Sequence, residues 1–289
     1  MLHRPGSRCR DARFPDPSDR GSGAAARELG RHLQGTQLAE DYRYRGRFEL
    51  GHGSGKYVYV QTEKYKDFGR KLITKVRAKW TPPPYFFHLA KGGHVEAARL
   101  HIDSKYFAHL DLKKFFNSCR RSRVVRALKS IGFKQRQALE CSSDSLVRLG
   151  GERVIPYGFT QSPILASICL HHSALGNEMA CLHDEGKKVS LYVDDIVVSG
   201  DTEAEVEGLV DRLIKSAENA RFALAHDKVS GTQPEITPFN LVLANNKLEL
   251  SAEQYAEFKT RVAADPASAV AQGTIRYAGF VNPSQAATL

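Results

Sequence analysis

The stretch Ser190-Leu-Tyr-Val-Asp-Asp-Ile-Val-Val198 decides how this sequence is interpreted. Two adjacent carboxylates, Asp194 and Asp195, stand between runs of β-branched and aromatic residues, which predicts two strands joined by a tight turn over residues 189–199. Such a turn brings two negative charges to one exposed point, where their repulsion is unfavourable unless a cation binds there. Two interpretations follow, a surface turn or half of a divalent-metal site, and a third carboxylate is needed to decide between them.

A third carboxylate stands at the end of another predicted strand. Residues 106–110 are apolar or aromatic apart from His109, which predicts a buried strand, and Asp111 follows directly. At the mouth of that strand, Asp111 would face the hairpin that carries the two adjacent aspartates. Three carboxylates on neighbouring strands suit two Mg²⁺ ions, which prefer oxygen ligands and clamp the attacking and leaving oxygens of a displacement. The alternative role for Asp111 is the N-cap of a helix over 112–116.

Six motifs follow one another along the chain. They are Phe86-Phe-His-Leu-Ala-Lys-Gly-Gly-His94, Asp111-Leu-Lys-Lys-Phe-Phe116, Pro156-Tyr-Gly-Phe-Thr-Gln-Ser-Pro163, Tyr192-Val-Asp-Asp195, Phe222-Ala-Leu-Ala-His-Asp-Lys228 and Ile236-Thr-Pro-Phe-Asn-Leu-Val-Leu243. In this order they resemble bacterial reverse transcriptases of the retron, group II intron and defence-associated (abortive-infection-like) groups. The resemblance covers roughly residues 57–289. Each motif alone is a weak signal, and the ordered set is a specific one.

The resemblance implies an α+β fold, that of a right-hand polymerase with a ferredoxin-like (split βαβ) palm, fingers and a short helical thumb. The fingers and palm would occupy residues 42–246 and the thumb residues 247–289. Within the first of these, 42–105 and 119–157 would be mainly fingers, and 106–118 and 158–246 would be palm. Residues 1–41 form an Arg/Gly/Pro-rich extension that is predicted to be disordered or loosely attached, as an RNA-binding arm, a leader or an extension from an upstream start codon.

The hydrophobic patterns between the motifs predict helices over about 120–130, 134–148, 162–185 and 203–221. Gly132 and Gly186 would end the first and third of these helices. A last substantial helix is predicted after Leu250, with Ser251 as its N-cap and Gln254 at the capping-box position.

The resemblance also implies roles for individual residues. Asp111, Asp194 and Asp195 would be the catalytic metal ligands, joined by the backbone carbonyl of Leu112. Phe116 would be an aromatic gate that excludes a ribose 2′-OH, or else a plain core residue. The other predicted nucleotide contacts are Tyr157, Gln161, Lys228, Arg77 and Lys79, and the predicted nucleic-acid contacts are Lys71, Lys75 and Tyr192.

Three further assignments keep an alternative. Tyr157 replaces the glutamine of the family motif, and its ring would stack on a base or simply pack. Gln161 would contact the nucleotide or template, or else be a polar residue at a helix start. Lys228 would approach the phosphates of the nucleotide, or else be a solvated lysine at a strand end.

The charge balance predicts a polyanionic partner. The chain has 42 Lys and Arg against 32 Asp and Glu, a formal net charge of +10. Residues 64–80 concentrate cations beside aromatic residues, as in a template or nucleotide groove, although a solvated basic helix face has the same pattern. The run Gly51-His-Gly-Ser-Gly-Lys56 has the wrong spacing for a phosphate-binding P-loop, so a P-loop NTPase is excluded.

The combined expectation is an RNA-directed DNA polymerase that extends a primer 3′-OH with dNTPs, using two Mg²⁺ ions or Mn²⁺ as a substitute. Its partners would be an RNA template, namely a cognate non-coding RNA, and the DNA product. No appended domain follows the thumb before Leu289, which favours a retron-like or antiphage-defence role. Five scattered cysteines and the lack of a long apolar run favour a cytoplasmic location without a membrane partner.

Three other functions are compatible with the same residues. The palm would serve a template-independent or protein-primed polymerase, or an RNA-templated RNA polymerase. The non-enzymatic alternative is a nucleic-acid-binding scaffold that retains the polymerase fold.

Overall fold

A computed structural model describes residues 41–51, 55–225 and 230–289. The chain divides into two units, Met1–Asp41 and Tyr42–Leu289, and the fold given below is that of the second unit. The predictions made for the N-terminal extension and for Lys228 lie outside the described residues.

The second unit mixes helices and strands along its whole length. Its strands are β1 (Tyr44–Glu49), β2 (Tyr57–Gln61), β3 (Tyr106–Asp111), β4 (Val147–Leu149), β5 (Glu152–Val154), β6 (Lys188–Tyr192), β7 (Asp195–Gly200), β8 (Ser230–Gln233), β9 (Glu235–Ile236), β10 (Leu241–Ala244) and β11 (Lys247–Leu250). Its helices are α1 (Glu63–Arg77), α2 (Gly93–Arg99), α3 (Phe115–Ser118), α4 (Arg121–Ser130), α5 (Gln135–Ser145), α6 (Ser162–His171), α7 (Ala174–Asp184), α8 (Glu203–Asn219), α9 (Ala252–Ala264), α10 (Ala269–Val281) and α11 (Pro283–Ala286).

A four-stranded antiparallel sheet, in the order β6-β7-β3-β8, contains the strands of the region predicted as palm. Along β3, Ala108 and Leu110 belong to the larger core, whereas Phe107 belongs to a second core on the other side of the sheet. Successive side chains of a strand point to opposite faces, so Asp111 lies on the Phe107 side. The sheet therefore has one face covered by the larger core and one face that carries the acidic strand end.

Helices cover the face to which Ala108 points. The helices α4, α6 and α8 contribute Val124, Ile168 and Leu213 to the core on that face, and all three side chains are fully buried. Strand, helices, hairpin, helix and strand follow one another as in a split βαβ unit. The predicted α+β polymerase fold is confirmed.

Two of the predicted helices have different bounds in the structure. The helix predicted over 162–185 is broken into α6 and α7, because Ser173 begins a new helix by accepting a hydrogen bond from the Gly176 N–H at 3.2 Å. Gly176 approaches the preceding turn so closely that a Cβ there would lie 2.2 Å from the Leu170 carbonyl oxygen. The helix predicted over 134–148 ends at Ser145, and β4 and β5 form a hairpin that the sequence did not predict.

The region predicted as fingers begins with the antiparallel pair β1 and β2, which is followed by α1. The region predicted as thumb, residues 247–289, contains β11 of the small sheet β11-β10-β9 and the helices α9, α10 and α11. Ser251 caps α9, since its Oγ accepts a hydrogen bond from the Gln254 N–H at 3.2 Å, as predicted. The prediction that α9 is the last substantial helix is wrong, because α10 follows with 13 residues. In the part of the chain that the structure describes, no helix is both long and apolar enough for a membrane span.

Candidate active site

The hairpin of β6 and β7 turns at Val193 and Asp194. Tyr192 pairs with Asp195, so the turn contains two residues only. Val193 has a φ of 62°, which is unfavourable for a β-branched residue. Asp194 is thereby held at the tip of the turn, and Asp195 begins the next strand.

The structure brings Asp111, Asp194 and Asp195 together at one end of the palm sheet. Asp111 lies directly opposite Asp195 in the antiparallel pairing of β3 with β7. The Leu112 N–H donates a hydrogen bond to the Asp194 carbonyl oxygen at 2.9 Å and joins the turn to the end of β3. Asp111 is not a helix N-cap, because α3 begins at Phe115 and Lys114 precedes it.

The negative charges of the three carboxylates repel one another. Burial, followed by the negative charges of Asp195 and Asp111, raises the pKa of Asp194 to about 6, against the smaller lowering effects of a backbone hydrogen bond and of Lys56. Carboxylate oxygens are the ligands that Mg²⁺ prefers, so the donor set fits a divalent cation. Among the described residues, no group of three or more His, Cys, Asp or Glu side chains is arranged closely enough to hold a metal ion. The fit therefore rests on the donor chemistry and on the unfavourable concentration of charge.

His109 is hydrogen-bonded to one of the three carboxylates, that of Asp195. Its Nε2 lies 2.7 Å from Oδ1 of Asp195, and both side chains are largely buried. His109 precedes Asp111 by two positions and therefore shares its face of the sheet. Because one of its oxygens is taken, Asp195 is less available to a metal than Asp194. His109 has no predicted role, although the period of two along the strand indicates that it shares a face with Asp111.

An aromatic pair lies beside the carboxylates. The ring centroids of Phe116 and Tyr157 are 4.9 Å apart, and Phe116 is only 7% exposed. Burial, followed by the charges of Asp194 and Asp111, raises the pKa of Tyr157 to about 12. Tyr157 is therefore close enough to both aspartates to sense their charge. The two rings form one wall of the site.

The sequence over residues 55–280 matches the family described as reverse transcriptase (RNA-dependent DNA polymerase). This chain belongs to the reverse transcriptase family. RNA-directed DNA polymerase, a nucleotidyltransferase, is the enzyme class that describes this family. A comparison with curated proteins gives no match.

Solved structures of two kinds are similar to this reverse transcriptase chain. The foamy viral protease-reverse transcriptase in complex with double-stranded DNA has a TM-score of 0.47 and 16% identity, over 79% of this chain and 35% of that chain. Telomerase from Candida albicans in complex with a TWJ fragment of telomeric RNA has a TM-score of 0.48 and 12% identity, over 70% and 43%. Apo telomerase from Candida tropicalis has a TM-score of 0.45 and 14% identity, over 65% and 45%. The chain spans less than half the length of each of these proteins.

A buried histidine supports the turn of this reverse transcriptase. The Val193 N–H donates a hydrogen bond to Nδ1 of His88 at 3.1 Å, and Nε2 of His88 lies 2.6 Å from Oγ of Ser167. The Ser167 hydroxyl donates its proton to the Pro163 carbonyl oxygen at 2.7 Å, so Nε2 must be the donor to Ser167. Burial, which outweighs a backbone contact with Leu191, lowers the pKa of His88 to about 4. His88 is therefore neutral, protonated at Nε2, with Nδ1 as the acceptor for the turn.

Lys56 is a second residue that the sequence analysis missed. It ends the connection between β1 and β2, where the Leu50 N–H donates to the Lys56 carbonyl oxygen at 2.8 Å. Its charge lowers the pKa of Asp194, which places the ammonium group near the carboxylates. The strand β2 follows Lys56, whereas a P-loop requires a helix there, which agrees with the exclusion of a P-loop.

Gln161 requires a correction. Its side chain is fully buried, and it is hydrogen-bonded at 3.2 Å both to Nε2 of Gln61 and to Oγ of Ser145. A side chain that is enclosed in this way does not reach a nucleotide or a template. The alternative interpretation, a polar residue at a helix start, describes its position before α6.

Four cations in or just after α1 are predicted to contact nucleotide or nucleic acid, and two of them lie toward other helices. Lys71, Lys75 and Arg77 lie in the second half of this helix and Lys79 follows it, and all four are exposed. Nζ of Lys79 is 5.8 Å from the ring centroid of Phe133. Burial raises the pKa of the Cys141 thiol of α5, and Lys75 is near enough for its charge to oppose that rise. Lys75 and Lys79 therefore belong to the surface around α4 and α5. Contacts of the four cations with nucleotide or nucleic acid stay predictions.

Tyr192 lies in an aromatic cluster beside the turn. Its ring centroid is 5.4 Å from the centroids of His94 and Phe239, and 6.2 Å from that of His88. The side chain is half-buried, with its backbone paired in β6. Its predicted contact with nucleic acid stays a prediction.

Proposed function

We propose that this chain is an RNA-directed DNA polymerase that extends a primer 3′-OH with dNTPs on an RNA template. One observation carries the proposal. Asp111 lies opposite Asp195 with Asp194 in the adjoining turn, and the mutual repulsion of these charges contributes to the raised pKa of Asp194. A site that concentrates negative charge in this way is suited to hold divalent cations between itself and the phosphates of a nucleotide.

Asp111 and Asp194 would hold two Mg²⁺ ions, with Asp195 and the backbone carbonyl of Leu112 completing the donor set. Bound Mg²⁺, or Mn²⁺ in its place, would supply neutralisation of phosphate charge and a lowered pKa of the primer hydroxyl. His109 would keep Asp195 oriented through its hydrogen bond to Oδ1. His88 would keep the backbone of the turn in place through its bond to the Val193 N–H.

Other residues would bind and select the nucleotide. Lys56 carries a positive charge near Asp194 and would approach the triphosphate. Phe116 and Tyr157 form a rigid wall, and a ring of this kind beside the sugar would collide with a ribose 2′-OH. We therefore infer a preference for deoxynucleotides. Lys228, which lies outside the described residues, keeps its proposed place near the phosphates.

The proposed partners are an RNA template, in particular a cognate non-coding RNA, and the DNA product. A retron-like or antiphage-defence role in the cytoplasm is proposed on the resemblance of the ordered motifs. The net charge of +10 supports a polyanionic partner.

The test replaces the carboxylate at the tip of the turn. Asp194→Asn is expected to leave the fold intact and to abolish dNTP incorporation, because the amide removes one of the three charges that the chemistry requires. Asp211→Asn, an exposed aspartate of α8, is the matched control and is expected to retain full incorporation. Primer extension on an RNA template measures activity, and circular dichroism with thermal unfolding measures folding. Incorporation by Asp194→Asn at the rate of the control would overturn the proposed function.

A further inference from the structure

The positive charge of the chain is concentrated in one segment. Residues 112–139 contain nine Lys and Arg and no Asp or Glu, so this segment of 28 residues carries +9 while the whole chain carries +10. The segment includes α4 and the first turns of α5. None of the predicted site residues other than Leu112 and Phe116 lies in it.

An open groove of about 470 Å³ runs between α4 and α5. Its cations are Arg121, Arg126 and Lys129 of α4, all of them exposed. Within the described ranges, these three side chains form no ion pair, whereas the neighbouring Arg120 and Arg136 are paired with Glu152 and Glu140. The groove therefore presents uncompensated positive charge to solvent.

The groove lies on the helical side of the palm. Val124 and Leu128 of α4 are buried in the core to which Ala108 and Leu110 of β3 also belong. Asp111 is on the opposite face of the sheet, by the alternation along β3. A primer and template held at the catalytic carboxylates therefore does not account for the charge on α4.

The spacing and the lining of the groove fit a phosphate backbone. Arg121 and Lys129 are separated by about 12 Å along the helix at 1.5 Å per residue, and one strand of a duplex presents about three phosphates over that length. Among the described residues, no aromatic side chain lines the groove, so it offers no platform on which single-stranded bases would stack. Base-paired RNA is recognised mainly through its shape and backbone.

We propose that the groove between α4 and α5 binds the backbone of a base-paired RNA segment, outside the primer–template duplex. RNA is chosen as the partner because the proposed function takes RNA as template, and the inference rests on that function in this respect. Lys75 and Lys79 extend the surface toward α1, since Lys79 lies beside Phe133 at the connection from α4 to α5. The enzyme then holds its RNA at two places, the catalytic face and the helical side.

The test removes the three cations of the groove together. The variant Arg121→Gln/Arg126→Gln/Lys129→Gln is compared with Lys105→Gln/Lys215→Gln/Lys259→Gln, which removes the same charge from exposed positions elsewhere. Binding of an RNA hairpin with a long base-paired stem is measured by fluorescence anisotropy at several salt concentrations, with neither metal nor dNTP present. The groove variant is expected to bind about tenfold or more weakly, with a salt slope smaller by about 2–3, since each lost phosphate contact lowers the slope by about one. The control is expected to keep most of the affinity and slope.

Primer extension on a short primer–template separates the possible outcomes. The groove variant is expected to extend it at the wild-type rate, and thermal unfolding checks that both variants are folded. Equal loss of hairpin binding in both variants, or none in the groove variant, would overturn the inference. Loss of short-substrate extension together with unchanged hairpin binding would also overturn it, by assigning the groove to the primer–template. If the wild-type chain incorporates no dNTP while the groove variant still loses RNA binding, the proposed function fails and the groove inference stands.

Discussion

Val193 lies between Tyr192 and Asp194 with a φ of 62°, a conformation that a β-branched residue rarely adopts. Backbone strain of this kind costs about 1–3 kcal/mol and persists only where surrounding contacts hold it. The contact here is the hydrogen bond from the Val193 N–H to Nδ1 of His88, and the bond from Nε2 to Ser167 fixes the ring. The position of Asp194 thus depends on a histidine 105 residues before Val193.

Substitutions of His88 test this dependence. His88→Asn keeps an acceptor close to the place of Nδ1, whereas His88→Leu leaves the Val193 N–H without one, at a cost of about 1–3 kcal/mol. We expect His88→Leu to lower kcat about 10-fold to 100-fold with little change in KM for dNTP, and His88→Asn to recover most of the loss. Steady-state primer extension gives both constants, and hydrogen exchange at Val193 reports the amide directly. Equal kcat values for the two variants at equal thermal stability would contradict this role.

Asp194 also predicts how stability depends on pH. Its pKa in the folded protein is about 6, above the value of 3.8 for an unperturbed aspartate, so the folded state binds the proton more tightly than the unfolded state. The ionised carboxylate is therefore a destabilising group above pH 6, and this penalty disappears as the pH falls toward 4. In metal-free buffer, Asp194→Asn is expected to unfold at a higher temperature than the wild type at pH 8, with about 2–4 °C for each kcal/mol relieved.

Thermal unfolding between pH 4 and pH 8 in the presence of a chelator measures the difference. The gap between the variant and the wild type is expected to close at pH 4, where both forms are uncharged at this position. Added Mg²⁺ is expected to stabilise the wild type more than the variant. A variant that is less stable than the wild type at pH 8 without metal would contradict the repulsion argument.

At the scale of secondary structure, β2 and the segment before α6 form one junction next to the active site. The Tyr59 N–H donates to the Tyr157 carbonyl oxygen at 2.9 Å. Gly158 follows with a φ of 90°, and a Cβ there would lie 2.4 Å from the Tyr59 carbonyl oxygen. Both the positive φ and the contact require glycine, so the position of the Tyr157 ring depends on a backbone approach that no other residue permits.

Gly158→Ala is expected to destabilise the protein by about 1–3 kcal/mol and to raise KM for dNTP, because the strand and the Tyr157 wall must move apart. Gly208→Ala is the control, since Gly208 is exposed in α8 with open space around its Cα and gains up to about 1 kcal/mol from alanine. Urea denaturation measures the stability of both variants, and steady-state primer extension measures KM for dNTP. Wild-type stability and KM in Gly158→Ala would show that the junction tolerates the side chain.

Local pattern explains which elements the sequence could predict. The strand β3 and the hairpin of β6 and β7 have a continuous apolar pattern that ends in carboxylates, and Ser251 caps α9 with its own side chain. The break at Ser173 was not predicted, because apolar residues continue on both sides of it and suit a single helix equally well. It is set by the close approach of Gly176 to the Leu170 carbonyl, which composition does not reveal.

In the candidate active site, too, local sequence pattern predicts some features, whereas others depend on contacts between distant segments. The proximity of the three aspartates could be predicted because each stands at or next to the end of a strand, and adjacent strands bring such ends together. Lys56, His88 and the enclosure of Gln161 could not, since each depends on a contact between segments that lie far apart in the chain. The buried hydrogen-bond partners of Gln161, Gln61 and Ser145, become known only once the fold places their segments beside it.

At the scale of the whole second unit, the thumb is tied to the segment that precedes the palm. Nε2 of His94 lies 2.7 Å from the Tyr277 hydroxyl of α10, and Nη2 of Arg99 donates to the Phe280 carbonyl oxygen at 2.6 Å. The His94 ring also packs against Tyr192, next to the catalytic turn. The thumb and the turn thus share a neighbour in α2, and the position of the thumb is linked to the active site through it.

Tyr277→Phe removes the hydroxyl from this link and keeps the ring. We expect addition of the first nucleotide to stay within about twofold of the wild-type rate, because the carboxylates and the turn are unchanged. Long products are expected to become rarer, since a thumb that is held less firmly lets the primer–template dissociate more often between additions. Tyr255→Phe is the control, because the Tyr255 hydroxyl bonds at 2.8 Å to Thr288 within the thumb and not to α2. Primer extension with a trap for dissociated enzyme gives the product lengths, and equal shortening in both variants would place the effect in the thumb alone.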